Sequence, residues 1–167
     1  MEKLIFEKGK VEDIEKIFKI FRSAILEMEK NGIMQWDEIY PDITIIENDL
    51  KNEDLSVGKI NNEIAVAYTI NKNCFDGYIN GNWSYKGDKY IVLHRICVNP
   101  KFQNNNIGSR TITHIEGTLK KSGTESIRLD AFPKNPYAIK MYQKLGYKNV
   151  GDLTLRKGAF ILMEKIL

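Results

Sequence analysis

The chain has 167 residues, of which 43% are hydrophobic and 28% are charged, and its formal net charge is +3. This length suits a single domain spanning residues 1–167, and the weak positive charge is far from a nucleic-acid-binding composition. The two cysteines and two histidines have no metal-ligand spacing, and no stretch resembles a signal peptide or membrane span, so we expect no metal, no membrane partner and a cytoplasmic protein.

The first half of the chain predicts a strand, two helices and a hairpin. The strand covers residues 4–7, the first helix runs from Val11 to a stop at Asn31-Gly32, and Pro41-Asp42 opens the second. Residues 55–60 and 63–70 then predict two strands. Asn61-Asn62 joins them in a turn, because asparagine tolerates a positive φ.

The second half begins with residues 71–88, an irregular stretch of a length that is usually functional or mobile. The predicted elements that follow are a strand at 90–98, a helix from the next turn to Lys121, a strand at 126–132, a helix between Pro136 and Gly146, and strands at 147–150 and 160–165, with 153–155 a candidate for a further strand.

The resulting order is β-α-α-β-β-β-α-β-α-β-β. It predicts an α/β (α+β) fold with a mixed, mostly antiparallel central sheet and helices on both faces. The unit from 90 to 132 should be a right-handed parallel crossover.

The stretch between residues 98 and 110 holds the strongest functional signal. Pro100 ends a strand, a turn rich in asparagine follows, and a helix starts at about Gly108. The N-terminus of a helix offers unpaired backbone N–H groups and a positive dipole end, which suit a phosphate. An ordinary strand–helix junction would have the same composition, so this pattern alone leaves both interpretations open.

Two motifs resemble those of the GCN5-related N-acetyltransferases. The first is Val98-x-Pro100-x-x-Gln103-x-x-x-x-Gly108, which looks like the family's acetyl-CoA signature; the second is Asn135 and Ala138 followed by Tyr142-x-x-Leu145-Gly146-Tyr147. The element order fits the family along the whole chain. One departure is Asn106, which stands where the family has its first glycine; asparagine is at ease in left-handed conformations, so the turn can survive.

The resemblance implies the acyl-CoA N-acyltransferase fold and acetyl-CoA as the acetyl donor. The acceptor would be a primary amine of a small molecule or peptide, which attacks the thioester directly. The cofactor-binding residues implied are Ile96, Val98, Gln103, Asn104, Asn105, Asn106, Ile107, Gly108, Ser109, Asn135 and Tyr142. For Asn135, a helix cap before Pro136 is an equally good interpretation and is compatible with cofactor contact.

Two catalytic residues follow from the resemblance and from side-chain chemistry. Tyr142 is the candidate general acid that protonates the departing thiolate, with a core aromatic as the alternative. His94 is the candidate base, since family members carry a Glu or His base on this strand and histidine titrates near pH ~6.5. Alternation would place His94 on the same side as Val92 and Ile96, and a satisfied core histidine is the alternative.

The acceptor-binding candidates are Trp36 and Tyr40, since aromatic rings can seat an ammonium group, although Trp36 suits a role in the core as well. Cys97 has no evident activating partner, which argues against an acyl-cysteine intermediate. A non-catalytic acyl-CoA-binding or sensing module is the main alternative function. A nucleoside-triphosphate enzyme that uses the same turn is disfavoured because no Lys-Ser/Thr pair follows Gly108. The sequence leaves the acceptor, the acyl length and the choice between monomer and homodimer open.

Overall fold

The computed structural model describes residues 2–167, in which seven strands and four helices follow the predicted order. The strands are β1 (Ile5–Lys8), β2 (Leu55–Ile60), β3 (Glu63–Asn71), β4 (Tyr90–Val98), β5 (Ser126–Ala131), β6 (Lys148–Leu155) and β7 (Gly158–Ile166); the helices are α1 (Ile14–Lys30), α2 (Ile43–Lys51), α3 (Ile107–Lys121) and α4 (Pro136–Lys144). The sheet is mixed and mostly antiparallel, which confirms the predicted fold class. Within residues 2–167, none of the helices has the length and apolar character needed to cross a membrane.

The chain divides into two compact units. Unit 1 consists of the residues up to Ile70 together with Arg95–Thr111, and unit 2 consists of Asn71–His94 and Ile112–Leu167. Strand β4 and helix α3 therefore contribute residues to both units.

In unit 1, β1, β2 and β3 are antiparallel neighbours. Asn61 and Asn62 connect β2 to β3 with φ values of 49° and 66°, which confirms the predicted turn. Helix α2 starts at the predicted position, because the Asp42 side chain accepts a hydrogen bond from the backbone N–H of Ile45 at 2.9 Å. The apolar faces of α1 and α2 form the core of this unit with residues of β2 and β3.

In unit 2, residues Tyr90–Val92 of β4 pair in parallel with β5, as the crossover predicts, and β5 pairs antiparallel with β7. Strand β7 also pairs with β6, which is one continuous strand. The division of β6 into 147–150 and a separate 153–155 was therefore wrong. The apparent break is a bulge, where the register shifts between Asn149 and Gly151 and Gly151 has a φ of 149°.

The segment between β3 and β4 is held within unit 2 by two buried charged residues. Ser84 and Tyr85 donate their backbone N–H groups to the buried carboxylate of Glu164, at 2.6 and 3.3 Å. The Arg128 guanidinium donates to the Tyr85 carbonyl at 2.7 Å and lies over the rings of Trp83 and Tyr90. Residues 83–85 are thus held by buried charged groups.

We predict that Glu164→Gln lowers the free energy of unfolding by about 3 kcal/mol or more, because it leaves the buried Arg128 without a carboxylate partner. Urea unfolding would measure the change. The control is Glu125→Gln, which breaks the exposed pair with Lys89 and should cost less than about 1 kcal/mol. Equal losses in the two variants would contradict the anchoring role.

Candidate functional site

The turn after β4 starts at Asn99, which is tied to β3 through both its backbone and its side chain. Its backbone N–H donates to the Ala65 carbonyl at 2.9 Å, and its Nδ2 donates to the Ile64 carbonyl at 3.0 Å. Its Oδ1 accepts from the backbone N–H of Lys101 at 3.1 Å, which starts a single 3-10 turn at Pro100–Phe102. The start of the turn is therefore fixed relative to β3.

Two asparagines give the turn its shape. Asn104 has a φ of 64° and Asn106 a φ of 56°, so both adopt the left-handed conformation that asparagine tolerates best after glycine. Asn105 donates through Nδ2 to the Gln103 carbonyl at 3.2 Å, which closes the turn. Asn106 thus adopts a conformation in which a family glycine would be at ease.

Helix α3 begins immediately after this turn. The backbone N–H of Arg110 bonds the Asn106 carbonyl at 3.0 Å, so the N–H groups of Ile107, Gly108 and Ser109 precede this first helical bond. The Ile107 side chain is buried, whereas residues 103–106 are largely exposed. An anion could therefore meet the backbone amides here together with the positive end of the helix dipole.

Ile96 and Val98, at the end of β4, direct their side chains into the apolar cluster of unit 1. That cluster contains Ile60, Val66 and Ile107. Both side chains are partly buried there, so the strand backbone is the main polar surface that a ligand beside this part of β4 would meet.

Arg95 interrupts β4. Its φ is 46°, a left-handed conformation that breaks the two-residue alternation of a strand. Alternation therefore cannot be carried through Arg95, so it does not place His94 on the same side as Ile96.

The Arg95 side chain forms a buried ion pair that the sequence analysis missed. Its guanidinium binds both carboxylate oxygens of Asp49, at 2.6 to 2.9 Å. One signal was available, because Asp49 occupies the apolar face of α2 beside Leu50 and three residues after Ile46. A charged residue in such a stripe needs a buried partner.

The two acceptor-binding candidates both have structural contacts in unit 1. Trp36 is buried and packs against Phe21, with ring centroids 5.6 Å apart. The Tyr40 hydroxyl accepts a hydrogen bond from Nη1 of Arg95 at 2.9 Å. A contact of either ring with the acceptor stays a prediction.

Tyr142 lies on α4 in unit 2, where 6% of its surface is exposed and its ring packs edge-on against Tyr147. Burial, and then the negative charge of Asp130, raise the pKa of the Tyr142 hydroxyl above its ordinary value. Tyr142 is therefore a buried, fully protonated phenol at neutral pH.

Asp130, on β5, is a second residue that the sequence analysis missed. Its carboxylate accepts a hydrogen bond from the Tyr78 hydroxyl at 2.8 Å. Burial and this carboxylate raise the pKa of Tyr78 as well. Two protonated tyrosines thus lie near the Asp130 carboxylate. The sequence gives no signal for this arrangement, because Tyr78 is 52 positions from Asp130.

Asn135 caps α4, as its position before Pro136 predicts. Its Oδ1 accepts from the backbone N–H of Ala138 at 3.2 Å. Its predicted contact with the cofactor is compatible with this role.

His94 is buried in unit 2, and its hydrogen bonds define its tautomer. Its Nε2 lies 3.1 Å from Asn71 Oδ1 and 2.9 Å from the Asn73 carbonyl oxygen. Both partners are acceptors, since Asn71 Oδ1 also accepts from the Asn73 backbone N–H at 2.9 Å. Nε2 therefore carries a hydrogen, and Nδ1 is the atom of the neutral ring that can take a proton.

Solved structures share this fold at low sequence identity. An acetyltransferase of the GNAT family from Streptococcus agalactiae 2603 is 22% identical, with a TM-score of 0.85 over 98% of this chain and 95% of that chain. PaiA N-acetyltransferase from Thermoplasma acidophilum, solved in complex with coenzyme A, is 17% identical, with a TM-score of 0.72 over 99% of each chain. The ribosomal-protein-S18-alanine N-acetyltransferase from Escherichia coli is 17% identical, with a TM-score of 0.69 over 98% of this chain and 94% of that chain.

These structures show a shared fold, whereas a match to a family model assigns the family. The model of the acetyltransferase (GNAT) family matches residues 27–147 of the 167. The matched part includes the turn with its left-handed Asn106, the capping Asn135 and the buried Tyr142. Both motifs and the fold therefore agree with the match, and this chain belongs to the acetyltransferase (GNAT) family.

Proposed function

We propose that this protein transfers the acetyl group of acetyl-CoA to a primary amine of a small molecule or peptide. The family uses acetyl-CoA as its donor. The observation that carries the proposal is the turn before α3, where two left-handed asparagines lead into N-terminal amides that precede the first hydrogen bond of the helix.

The turn would bind the cofactor's pyrophosphate through backbone N–H groups of residues 103–109. This explains why its side chains need no charge of their own. Asn135 would contribute its amide to the pantetheine arm.

The backbone of β4 between Ile96 and Val98 would pair with the amides of the pantetheine arm, as an extended peptide adds to a strand. A backbone N–H near Val98 would donate to the thioester oxygen as negative charge develops there during attack. The packing of Ile96 and Val98 supports this arrangement, because their partly buried side chains turn toward an apolar cluster and away from a ligand that pairs with the backbone.

Tyr142 would give its proton to the departing thiolate. Its raised pKa keeps the phenol protonated but makes it a weaker acid than an exposed tyrosine. A thiolate leaving in an equally dry site is destabilised by the same desolvation, which raises its own proton affinity toward that of the phenol.

His94 would take the proton of the attacking amine through Nδ1, directly or by way of a water molecule. The hydrogen bonds at Nε2 to Asn71 and Asn73 support this role, because they fix both the tautomer and the ring orientation.

Transfer would be direct, without an acyl-cysteine. Burial raises the pKa of the Cys97 thiol well above its ordinary value, so this residue does not supply a thiolate at neutral pH. Trp36 and Tyr40 would contact the acceptor. A cytoplasmic location and a monomeric or homodimeric state stay predictions.

We predict that Asn106→Gly leaves the Kd for CoA nearly unchanged, whereas Asn106→Val raises it about tenfold. Holding a β-branched residue in the left-handed conformation costs roughly 1–2 kcal/mol, which corresponds to about tenfold in Kd. Calorimetry with CoA would measure both. The control is Asn62→Val, which imposes the same backbone cost in the β2–β3 turn and should lower stability but not CoA affinity. Tight CoA binding by Asn106→Val would contradict the role of the turn.

We predict that Tyr142→Phe lowers kcat by on the order of a hundredfold, with little change in CoA affinity, because it removes the proton donor. Thiol release across a panel of amines would measure it, with Tyr137→Phe on the exposed side of α4 as the control. Since the Tyr142 pKa is raised, loss of its proton should not lower the kcat of the parent protein below about pH 10. CoA binding without turnover on any amine would instead favour the non-catalytic binding module.

We predict that His94→Gln lowers kcat/KM for the amine by on the order of a hundredfold at neutral pH and less at alkaline pH, where the amine loses its proton unaided. A pH profile of the parent and variant would show the converging rates. His114→Gln is the control, since His114 is exposed on α3. Parallel profiles with equal rates would remove His94 from the mechanism.

A further inference from the structure

Arg95 has a left-handed backbone conformation inside a strand, where extended backbone is the rule. Among the non-glycine residues between 2 and 167, it is the one with a positive φ inside a strand, whereas the others lie in turns. Its neighbours Ile96, Cys97 and Val98 continue β4. Left-handed backbone at a bulky residue persists where the surrounding structure enforces it, and such sites cluster at binding and catalytic positions.

The Arg95 guanidinium makes four hydrogen bonds, to Asp49 and to Tyr40. Nε lies 2.9 Å from Oδ2 of Asp49, and Nη2 lies 2.8 Å from Oδ1 and 2.6 Å from Oδ2. Nη1 donates to the Tyr40 hydroxyl at 2.9 Å. Because the guanidinium is planar, these four bonds fix the direction of the side chain as well as its position.

The Asp49 carboxylate is in turn fixed by β3. Its Oδ2 also accepts from the hydroxyl of Thr69, which is fully buried, at 2.9 Å. The side chains of Arg95 and Asp49 are each about 10% exposed. Arg95 of β4 thus bonds Asp49 of α2 and Tyr40 before α2, and Thr69 of β3 holds Asp49 in turn.

The stretch that follows is fixed at its other end by Asn99, through its two hydrogen bonds to β3. Residues 96–98 therefore lie between two anchors. Arg95, with its four hydrogen bonds, precedes this stretch, and Asn99 follows it.

We propose that Arg95 is a positioning residue for the cofactor: its buried hydrogen bonds to Asp49 and Tyr40 hold β4 in the left-handed turn that aims the backbone groups of residues 96–98 at acetyl-CoA. This inference rests on the proposed function, in which those backbone groups bind pantetheine and the thioester oxygen. An apolar pair could fill the same space and contribute similar stability, but it would not fix a direction.

A matched pair of double variants tests this proposal. Arg95→Ala/Asp49→Asn and Arg95→Gly/Asp49→Asn both remove the ion pair without leaving a buried charge, and the asparagine can still accept from Thr69. They differ in one respect, because glycine adopts the left-handed conformation freely and alanine does not. Measurements on each are the Kd for CoA, kcat, KM for acetyl-CoA and the urea midpoint.

We predict that the alanine variant raises the Kd for CoA by about tenfold or more, while the glycine variant recovers a large part of that loss. Loss of packing alone would affect both variants alike. Equal CoA affinity in the two folded double variants, or parent-like affinity in both, would overturn the proposal.

Arg95→Lys keeps the proposal testable if a double variant does not fold, since lysine retains the charge but not the planar set of donors. Weakened CoA binding supports the proposal, and parent-like binding overturns it. The control is Glu7→Gln, which breaks an ion pair with Lys59 elsewhere in unit 1 and should leave CoA binding unchanged. A parent protein that does not bind CoA at all would instead contradict the proposed function itself.

Discussion

The buried ion pair between Arg95 and Asp49 is the interaction on which the geometry of β4 in unit 1 depends. A left-handed arginine in a strand costs backbone energy, and the paired, hydrogen-bonded guanidinium offsets that cost. Removing either partner would leave an uncompensated buried charge, so the two residues form one structural unit. Beyond Arg95 the strand resumes its alternation, with Ile96 and Val98 packed in the core.

Backbone conformation also governs the turn before α3. The family's glycine is replaced by Asn106, yet φ remains positive there and again at Asn104. Asparagine reaches this region more readily than other residues with a Cβ, because its short polar side chain can bond locally. In the proposed function the turn binds an anion through backbone N–H groups, so the positive φ at this position matters more than the identity of the side chain.

In unit 2, desolvation dominates the electrostatics. Tyr142 and Tyr78 are both buried near Asp130, and the pKa of each hydroxyl is raised. A phenol that stays protonated can act as an acid if the group that leaves is also desolvated. The buried Glu164 and Arg128 serve a different purpose, because their hydrogen bonds to Ser84 and Tyr85 hold the segment before β4 in place.

Much of the fold could be read from the sequence, because local chemistry sets it. The apolar periodicity of α1, the Asp42 cap of α2, the Asn61-Asn62 turn and the proline that ends β4 each act within a few residues. The same holds for the two motifs that indicate the family. The bulge in β6 was missed because strand pairing compensates for an irregularity that looks like a break in the sequence.

Tertiary structure alone decided the polar contacts between distant residues. Asp49 and Arg95 are 46 positions apart, and Tyr78 and Asp130 are 52 apart, so no local pattern pairs them. The left-handed φ of Arg95 arises from such contacts, since arginine has no intrinsic preference for it. The orientation of His94 was likewise beyond sequence, because its tautomer depends on two acceptors in a segment without regular periodicity. The sequence by itself therefore indicated most of the elements and the family, because these depend on local patterns. Long-range burial of charge decided the backbone conformation of Arg95 and the surroundings of the buried titratable groups.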